Sequence, residues 1–489
     1  KVRNSVLTSP GGRVDNCDFD GAFTNNYVKG KGLVDENSAI KIYNFKGSYH
    51  EIPFTIDTAL IVDLIKPIAT STFKSKFELS KLNPILGGEP LKFINGTANL
   101  NLKCRADIVD FQLNKPMLAG IISVSKADMI YVPRNLPLNN TSLSLNFTGD
   151  DLLLNNINLQ SGHSIVRMNG RVNNFLNLFY NDPEKILLTW NIHSPQMYLG
   201  EFLGVLNARN NTKRVRHRGK KSDFSEQLNT AFEKGSAQMH LRADKVYYRK
   251  FLATAATADV LFGNNGLTLK NVSVKHAGGS LKLNGHILQK GKYNNFAINS
   301  VVSNVDISHF MYSFNNFGLT SLTSKNLKGF LSSKANVTGN ITNTGDLVPR
   351  SVNGTVVINL KKGELLSFAP IKSVGKFAFP FRDLDNITFS NLDGQFDLKG
   401  EKIIIHPMQI NSSVLNLDMS GIYSLTTGTN IAIDVPLRNP KKDAEITDKE
   451  EREKRRMKGI VIHLAAVDGD NGKVKIKLNR NRKKDDDKI

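Results

Sequence analysis

Apolar and polar residues alternate with a period of two along most of this 489-residue chain. Leu100, Leu102 and Cys104, for example, are separated by Asn101 and Lys103. Successive side chains of a β-strand point to opposite faces, so this spacing gives each strand one apolar and one polar face. The chain is therefore predicted to be all-β, and the apolar faces of its strands must be buried against another part of the protein or a ligand.

Short groups of turn-forming residues separate the strand patterns: Asn264-Asn265-Gly266, Gly278-Gly279, Asn284-Gly285 and Lys399-Gly400-Glu401. Connections this short join antiparallel neighbours, whereas parallel strands need long crossovers. Helical periodicity is weak, and its best example spans residues 223–232. The sequence predicts an elongated, curved, mainly antiparallel sheet with few short helices, built from repeated units and forming an open groove.

One segment recurs along the chain. Residues 147–172 align without gaps with residues 262–287, and a third copy at 396–422 has 27 residues against 26, with a longer stretch around its first turn. Gly120, Gly235 and Gly354 are each interpreted as opening a further strand set ahead of a copy. On this basis the chain divides into N-terminal groove strands (1–95), two groove repeats (96–206 and 223–330), a C-terminal repeat (331–440) and a final hairpin with a basic tail (459–489).

Two charged segments interrupt the strand pattern. Residues 207–222 contain seven Lys or Arg residues, the last of which is Lys221, and no acidic residue. This composition is typical of an anion-binding patch or of a solvated loop. No aromatic residue interleaves the charges as a single-strand nucleic-acid binder would require, so we interpret the segment as a loop. Residues 441–458 mix both signs densely and are interpreted as a charged insertion, either an exposed helix or a mobile segment. No nucleic-acid partner is expected.

Motifs that would indicate an enzyme are missing from the sequence. The ten histidines are dispersed, and no zinc-protease helix motif, nucleophile elbow or phosphate-binding glycine loop occurs. Asp468 and Asp470 begin like a calcium loop, but no glutamate stands at the twelfth position. Cys17 and Cys104 are too few for a disulfide scaffold, and the sequence leaves open whether they pair. We expect no catalytic residue, metal or cofactor.

Several of these strands, in their order along the chain, resemble the AsmA-like family of bacterial envelope proteins, in particular the C-terminal AsmA region of Bacteroidetes-type members. The resemblance is carried by the hairpin His276–Gly285 and by the closing block Ile403–Leu437, which contains Pro407-Met408, Ser412-Ser413 and Gly421 and leads into Arg438-Asn439-Pro440. Residues 77–86 are similar to the linker that precedes a new strand set. The likeness covers roughly residues 75–480.

The resemblance implies a bridge-like lipid transfer protein that crosses the periplasm and conducts phospholipids between the inner and outer membranes. It implies an inner-membrane anchor helix at the N-terminus, which this sequence lacks, and an outer-membrane contact at the C-terminal end. We therefore expect this chain to be the C-terminal portion of a longer, membrane-anchored protein.

The residues expected to line a lipid groove are the alternating apolar positions of the three copies. They are Leu152, Leu154, Ile157 and Leu159, then Leu267, Leu269, Val272, Val274, Leu281 and Leu283, then Ile403, Ile405, Leu415 and Leu417. Burying a sixteen-carbon acyl chain is worth about 12 kcal/mol at ~0.8 kcal/mol per methylene, so a lipid leaves a bilayer readily only if an apolar surface receives it. About thirty strands at ~4.8 Å would extend on the order of 140 Å.

Three other functions are compatible with this pattern. A chaperone-like factor for outer-membrane protein assembly would offer unpaired sheet edges to client strands. A β-sandwich adhesin would pack its apolar faces on each other and leave no groove. A parallel β-helix enzyme would show rungs about every twenty residues, a period that the sequence lacks.

Overall fold

The computed structural model describes most of the chain. The described residues are 1–9, 12–86, 90–110, 112–206, 227–228, 230–231, 234–263, 266–290, 292–348, 350–369, 371–372, 383–437, 447–448, 450–451, 455, 459–469 and 474–479. Their 25 strands belong to one open, mostly antiparallel sheet. The predicted all-β class with few short helices is confirmed.

The strands of the N-terminal half differ widely in length, from three to twenty residues. They are β1 (Val2–Ser9), β2 (Gly12–Thr24), β3 (Ala39–Tyr49), β4 (Ile52–Val62), β5 (Ile68–Glu78), β6 (Leu91–Phe93), β7 (Thr97–Val109), β8 (Gln112–Tyr131), β9 (Leu136–Thr148), β10 (Asp151–Ser161), β11 (Ser164–Val172) and β12 (Leu187–Tyr198). Each of β1 to β4 pairs with the next strand, β5 pairs with β7, and β7 to β12 continue the antiparallel series. Short β6 pairs with the far end of β8.

The remaining strands are β13 (Ser236–Tyr248), β14 (Phe251–Gly263), β15 (Gly266–His276), β16 (Gly279–Lys290), β17 (Tyr293–Asp306), β18 (Leu327–Ile341), β19 (Asn353–Leu366), β20 (Asn386–Lys399), β21 (Lys402–Asn411), β22 (Asn416–Ser424), β23 (Asn430–Pro436), β24 (Val461–Asp468) and β25 (Val474–Leu478). From β16 to β25 each strand pairs antiparallel with the next. This order excludes a parallel β-helix.

The chain separates into two compact units. The first comprises Lys1–Ala243 and Asp259–Leu267, and the second comprises Asp244–Ala258 and Thr268–Ile489. The finer division into groove repeats stays a prediction.

Helices are few and short. Those that lie wholly within the described residues are α1 (Asn83–Leu86), α2 (Phe175–Asn181) and α3 (Ile307–Ser313), together with 3₁₀ helices such as Leu79–Leu82 and Leu199–Leu206. Helix α3 begins behind Asp306, whose carboxylate accepts the backbone N–H of His309 at 2.8 Å and so caps the helix. Among the described residues no helix has the length and apolar character needed to cross a membrane.

Asparagine residues mark β-bulges throughout the sheet. Asn4, Asn16, Asn140, Asn156 and Asn304 all have positive φ and lie at shifts of strand register. A bulge adds one residue to one strand, and Asn tolerates the left-handed conformation better than most residues. This backbone requirement accounts for part of the chain's 53 asparagines.

The bulge in β10 recurs in the second copy of the repeat. The N–H of Asn156 donates to Oδ1 of Asn169 at 2.9 Å, and the N–H of Asn271 donates to Oδ1 of Asn284 at 2.8 Å. The third copy also has a register shift, between Ile405 and Met408. There Pro407 occupies the bulge, and since proline has no N–H, no side-chain acceptor is needed.

Two sequence interpretations are wrong. Asn284-Gly285 is not a turn but lies inside β16, where Asn284 serves the bulge and a Cβ at Gly285 would come within 2.4 Å of the Ala297 carbonyl oxygen. Gly120 does not open a strand set but lies inside β8. Its φ of +125° and a Cβ that would approach the Asn101 oxygen to 2.3 Å explain the glycine.

Two other predicted turns are confirmed, whereas the one at Asn264-Asn265 lies outside the described residues. Ala277 and Gly278 form the turn after β15, and Gly400 with Glu401 joins β20 to β21. The final hairpin is formed by β24 and β25. Asp468, considered as a calcium ligand, instead accepts the backbone N–H groups of Gly428 and Thr429.

The predictions for the charged segments cannot be compared with the structure. The basic loop 207–222 lies outside the described residues, as does most of the insertion 441–458. In the predicted helix 223–232, Leu228 is helical and packs against apolar side chains of β7 and β9. Cys17 and Cys104 are both free thiols.

The bulge at Asn271 yields a stability prediction. Asn271→Val should lower the free energy of unfolding by about 1–3 kcal/mol, because a β-branched residue is strained at positive φ. Asn271→Gly should be tolerated far better, since glycine adopts this conformation freely. Urea denaturation measures the difference.

The matched control is Lys275→Val, an exposed position of the same strand without positive φ. If both valine variants had the same stability, the bulge conformation would not be what selects asparagine.

Candidate functional site

The apolar face of the second unit is continuous across ten strands. Strand register places one residue of each strand from β16 to β25 in a single line, which we call the central row. Its members are Leu283, Ser300, Ala335, Val356, Phe396, Ile405, Gly421, Ile431, Ala466 and Ile476. Ser300 is the one polar residue in the row, so the line forms an apolar track running across the strands.

The central row is only half covered at its beginning. From Leu283 to Phe396 its residues are half-buried, whereas Ile405, Ile431 and Ala466 are buried. The neighbouring residues on the opposite face form a second line, the outer row, consisting of Lys282, Val301, Lys334, Val357 and Gln395. All five are exposed, so the two faces of β16–β20 differ in solvent exposure, and the outer row mixes polar residues with valines.

Helix α3 covers one end of this apolar face. Phe310 and Met311 pack against Val305, Leu331 and Leu360 of three successive strands, and all five side chains are buried. Leu281 belongs to the same cluster as a partly buried neighbour. The helix therefore closes the face at the strand ends and leaves the central row beside it half-covered.

The segment that follows α3 reaches the last strand. The backbone N–H of Val474, at the start of β25, donates to the hydroxyl oxygen of Ser321 at 3.1 Å. The segment is stabilised internally by Asn316, whose Oδ1 accepts the N–H of Ser324 at 2.9 Å. Because β25 is the last described strand of the series, this contact satisfies a backbone donor that would otherwise face solvent.

The first unit has a comparable apolar line. It runs from β3 through β5 and then from β7 to β11 and contains Phe45, Ile56, Phe73, Leu102, Gly120, Phe147, Leu152 and Val172. On β3–β5 the side chains are half-buried, and aromatic rings meet at 5.2–5.4 Å from Phe19 through Phe45 and Phe54 to Phe73. From β7 onward Leu176 and Phe179 of α2 cover the line.

A second segment packs on the apolar face of the first unit and is fixed there by the carboxylate of Glu201. Glu201, in the turn Leu199–Leu206, accepts hydrogen bonds from the backbone N–H groups of His163 and Ser164 and from the Ser164 hydroxyl. Phe202 beside it packs on Ile157 and Leu159. Burial raises the pKa of Glu201, but the hydrogen bonds from Ser164 and His163 outweigh it, so the net pKa lies below the usual glutamate range.

The structure distributes the predicted groove residues over two environments. Leu152, Ile157, Leu159, Ile405, Leu415 and Leu417 are buried in packed clusters, whereas Leu154, Leu267, Leu269, Val272, Val274, Leu281, Leu283 and Ile403 are half-buried. Leu154 contacts the cluster of Ile157 and Leu159 even though the spacing of three would separate them in a regular strand. The bulge at Asn156 returns them to one face.

Sequence reasoning missed the covering elements. Helices α2 and α3 have seven residues each, too few for a clear helical period. Leu415 and Leu417 pack under Leu384 and Ile387, another contact that alternation within one strand could not reveal. The available signals were the aromatic-rich sequences Phe175–Tyr180 and Phe310–Phe317, which no strand pattern explained.

The anchor at Glu201 yields a pH-dependent prediction. Glu201→Gln should lower the free energy of unfolding by about 1–3 kcal/mol near neutral pH, because charge-assisted hydrogen bonds to a partly buried group are lost. The folded-state pKa lies below the unfolded one, so this contribution is present above the unfolded pKa and declines as pH falls through the folded value. The stability difference between wild type and variant should therefore shrink on acidification.

The comparison is made by chemical denaturation at neutral and acidic pH. Gln160→Glu, at an exposed site nearby, controls for a change of one charge. A stability difference that stayed constant with pH would contradict the assigned role of the carboxylate.

Comparison with known proteins adds no relative. A scan against models of protein families finds no match to the chain, and a search among curated proteins finds none. The function must therefore be argued from the surface itself.

Proposed function

We propose that this protein carries phospholipid acyl chains along the apolar face of its sheet, between the inner and outer membranes of a bacterial envelope. The observation that supports this most strongly is the central row, whose half-buried apolar residues from Leu283 to Phe396 lie opposite an exposed outer row. The resemblance to AsmA-like proteins points to the same function, with the chain in the periplasm and joined to the inner membrane through an N-terminal anchor.

The energetics favour a mobile apolar ligand. A half-buried leucine or valine leaves part of its surface in water, and covering that surface gains roughly 25 cal/mol per Å². An acyl chain lying across the strands would collect this gain from several row residues at once. Because the row offers similar side chains on successive strands, a lipid could exchange one set of contacts for the next without a deep energy minimum.

The alternative functions make different demands. A β-sandwich adhesin needs a second sheet against the apolar face, but the described strands form one sheet, and helices such as α3 pack on its face. An assembly chaperone needs an accessible strand edge, and at the edge of β25 one backbone donor, the N–H of Val474, is already bound by Ser321. The half-buried apolar central row favours a lipid ligand over a protein client.

Two adjacent valines provide the test. Val356 lies in the central row and Val357 in the outer row, so the same substitution can be placed on either face. Val356→Asp should reduce bound phospholipid and its transfer between vesicles roughly tenfold or more, since a charge in an apolar track is costly. Val357→Asp, at a 48% exposed site, should transfer lipid like the wild type.

Melting curves of both variants accompany the transfer assay. A folded Val356→Asp variant with normal transfer would reject the proposed track. Leu283→Asp, matched with Lys282→Asp, repeats the comparison on β16, three strands away from the valines of β19. If Val356→Asp and Leu283→Asp both unfolded the protein, the face would be a packed core, as in a sandwich.

Mass spectrometry of the purified protein separates lipid from protein ligands. We expect phospholipids in an organic extract of the wild type and a loss of these in Val356→Asp. Unfolded outer-membrane protein bound in place of lipid would instead support the chaperone.

A further inference from the structure

Large apolar side chains are exposed along one edge of the first unit. Strand register brings the β2–β3, β4–β5 and β7–β8 connections to the same edge, because Thr24 pairs with Ala39, Ala39 with Val62, and Val62 with Ile68. We call the exposed residues at this edge the rim: Phe23, Tyr27, Val28, Leu33, Val34, Ile65, Val109 and Leu113. Leu33 is 70% exposed, Phe23 63% and Ile65 58%, values that are unusual for such side chains.

The exposure of the β2–β3 connection is imposed by its hydrogen bonds. Asn37 is buried, and its Oδ1 accepts the N–H of Val28 at 2.8 Å while its Nδ2 donates to the carbonyl of Gly32 at 2.7 Å. The N–H of Tyr27 donates to the Asn37 carbonyl at 2.9 Å. The buried Asn37 side chain fixes the backbone on both sides of the tip of the connection, residues 29–32. The apolar side chains next to the tip are therefore held in exposed positions by this ordered loop.

Neighbouring connections are joined into one surface. The N–H of Asp63 donates to the carbonyl of Ser38 at 3.1 Å, and the N–H of Leu64 donates to the carbonyl of Asp35 at 3.0 Å. The N–H of Ile108 donates to the carbonyl of Pro67 at 2.8 Å. Ile65 is thereby held beside the β2–β3 connection and Val109 beside the β4–β5 connection, so the rim extends over three neighbouring connections.

Basic residues stand among the rim's apolar side chains. Lys29 and Lys31 occupy the tip between Tyr27-Val28 and Leu33-Val34, and Lys66 follows Ile65. The ammonium group of Lys41 lies 5.5 Å from the centre of the Tyr27 ring. The acidic Asp35 and Glu36 come after the tip, in a short 3₁₀ turn. Lysines flanking an apolar and aromatic surface match the anionic headgroups and acyl boundary of a bilayer.

We propose that the rim docks the first unit onto the surface of an anionic phospholipid bilayer. Tyr27, Val28, Leu33 and Val34 enter the headgroup–acyl boundary, and Lys29 and Lys31 contact the lipid phosphates. The net charge of +21 on the chain favours the same partner. This surface goes beyond lipid transport along the sheet face, and its assignment holds whether or not the central row conducts lipid.

The test measures binding of the whole chain to vesicles. Wild type should co-sediment with phosphatidylcholine vesicles containing roughly 30% phosphatidylglycerol, and less with pure phosphatidylcholine. Leu33→Ser combined with Val34→Ser should weaken this partition by about tenfold or more, since apolar insertion is lost. Lys29→Glu combined with Lys31→Glu should remove most of the preference for anionic vesicles.

The matched control is Val301→Ser with Val357→Ser, two exposed valines of the outer row in the second unit. This control should bind vesicles like the wild type. A fluorophore attached at Leu33→Cys should be quenched by brominated lipids, while the same label at Val357→Cys should not.

Three outcomes would overturn the proposal: no binding by the wild type, unchanged binding by the Leu33/Val34 variant, or equal loss in the control. Self-association of the wild type that the rim variant abolishes, without vesicle binding, would identify a second copy as the occupant instead. Val356→Asp should still bind vesicles while losing its lipid cargo, so failure of the rim and failure of the lipid track are measured separately.

Discussion

A sheet that forms a single layer has an apolar face with no second sheet to cover it. In this protein, short helices and one connecting segment cover parts of that face instead. In the second unit, α3 covers the face at Val305, Leu331 and Leu360. In the first, α2 and the Glu201-anchored turn cover β10 and β11. Between such covers the side chains stay half-buried, because no described element reaches them. The surface left over is apolar, continuous across strands and suited to a ligand that has no fixed position.

The two proposed lipid contacts differ in how the chain builds them. The central row arises from register alone, since residues such as Leu283 and Val356 need only regular pairing to share a face. The rim instead depends on the buried Asn37, which holds an irregular connection with its apolar residues outward. A transport track tolerates repetition and small changes, whereas a docking surface needs a particular local conformation. Substitutions at Asn37 should therefore affect docking without altering the track.

Much of the fold could be predicted from the sequence because the alternation of apolar and polar residues within a strand shows which of its faces is apolar, as at Leu100 and Leu102. Features that depend on residues distant in the chain could not. Asn284-Gly285 has the composition of a turn, but its partner is the bulge at Asn271, thirteen positions earlier. Leu152 alternates like a groove residue, yet Leu176 and Phe179 of α2 cover it. Glu201 carries no local signal, since its role comes from the Ser164 turn. Of the candidate surface, sequence reasoning identified the apolar faces but not which parts remain open.

The paired bulges also bear on how such a chain can change length during evolution. Inserting one residue into a strand would turn every later side chain to the opposite face, unless a bulge absorbs the extra residue. From its opening phenylalanine to the residue before the register shift, the third copy (Phe396 to Ile405) is two residues longer than the first (Phe147 to Leu154), and it retains a register shift, between Ile405 and Met408. In this copy Pro407 and Ser420 occupy the positions of Asn156 and Asn169 in the first copy. Insertion or deletion of an even number of residues in a strand keeps its later side chains on their original faces. An odd number reverses the faces unless a bulge is gained or lost with it.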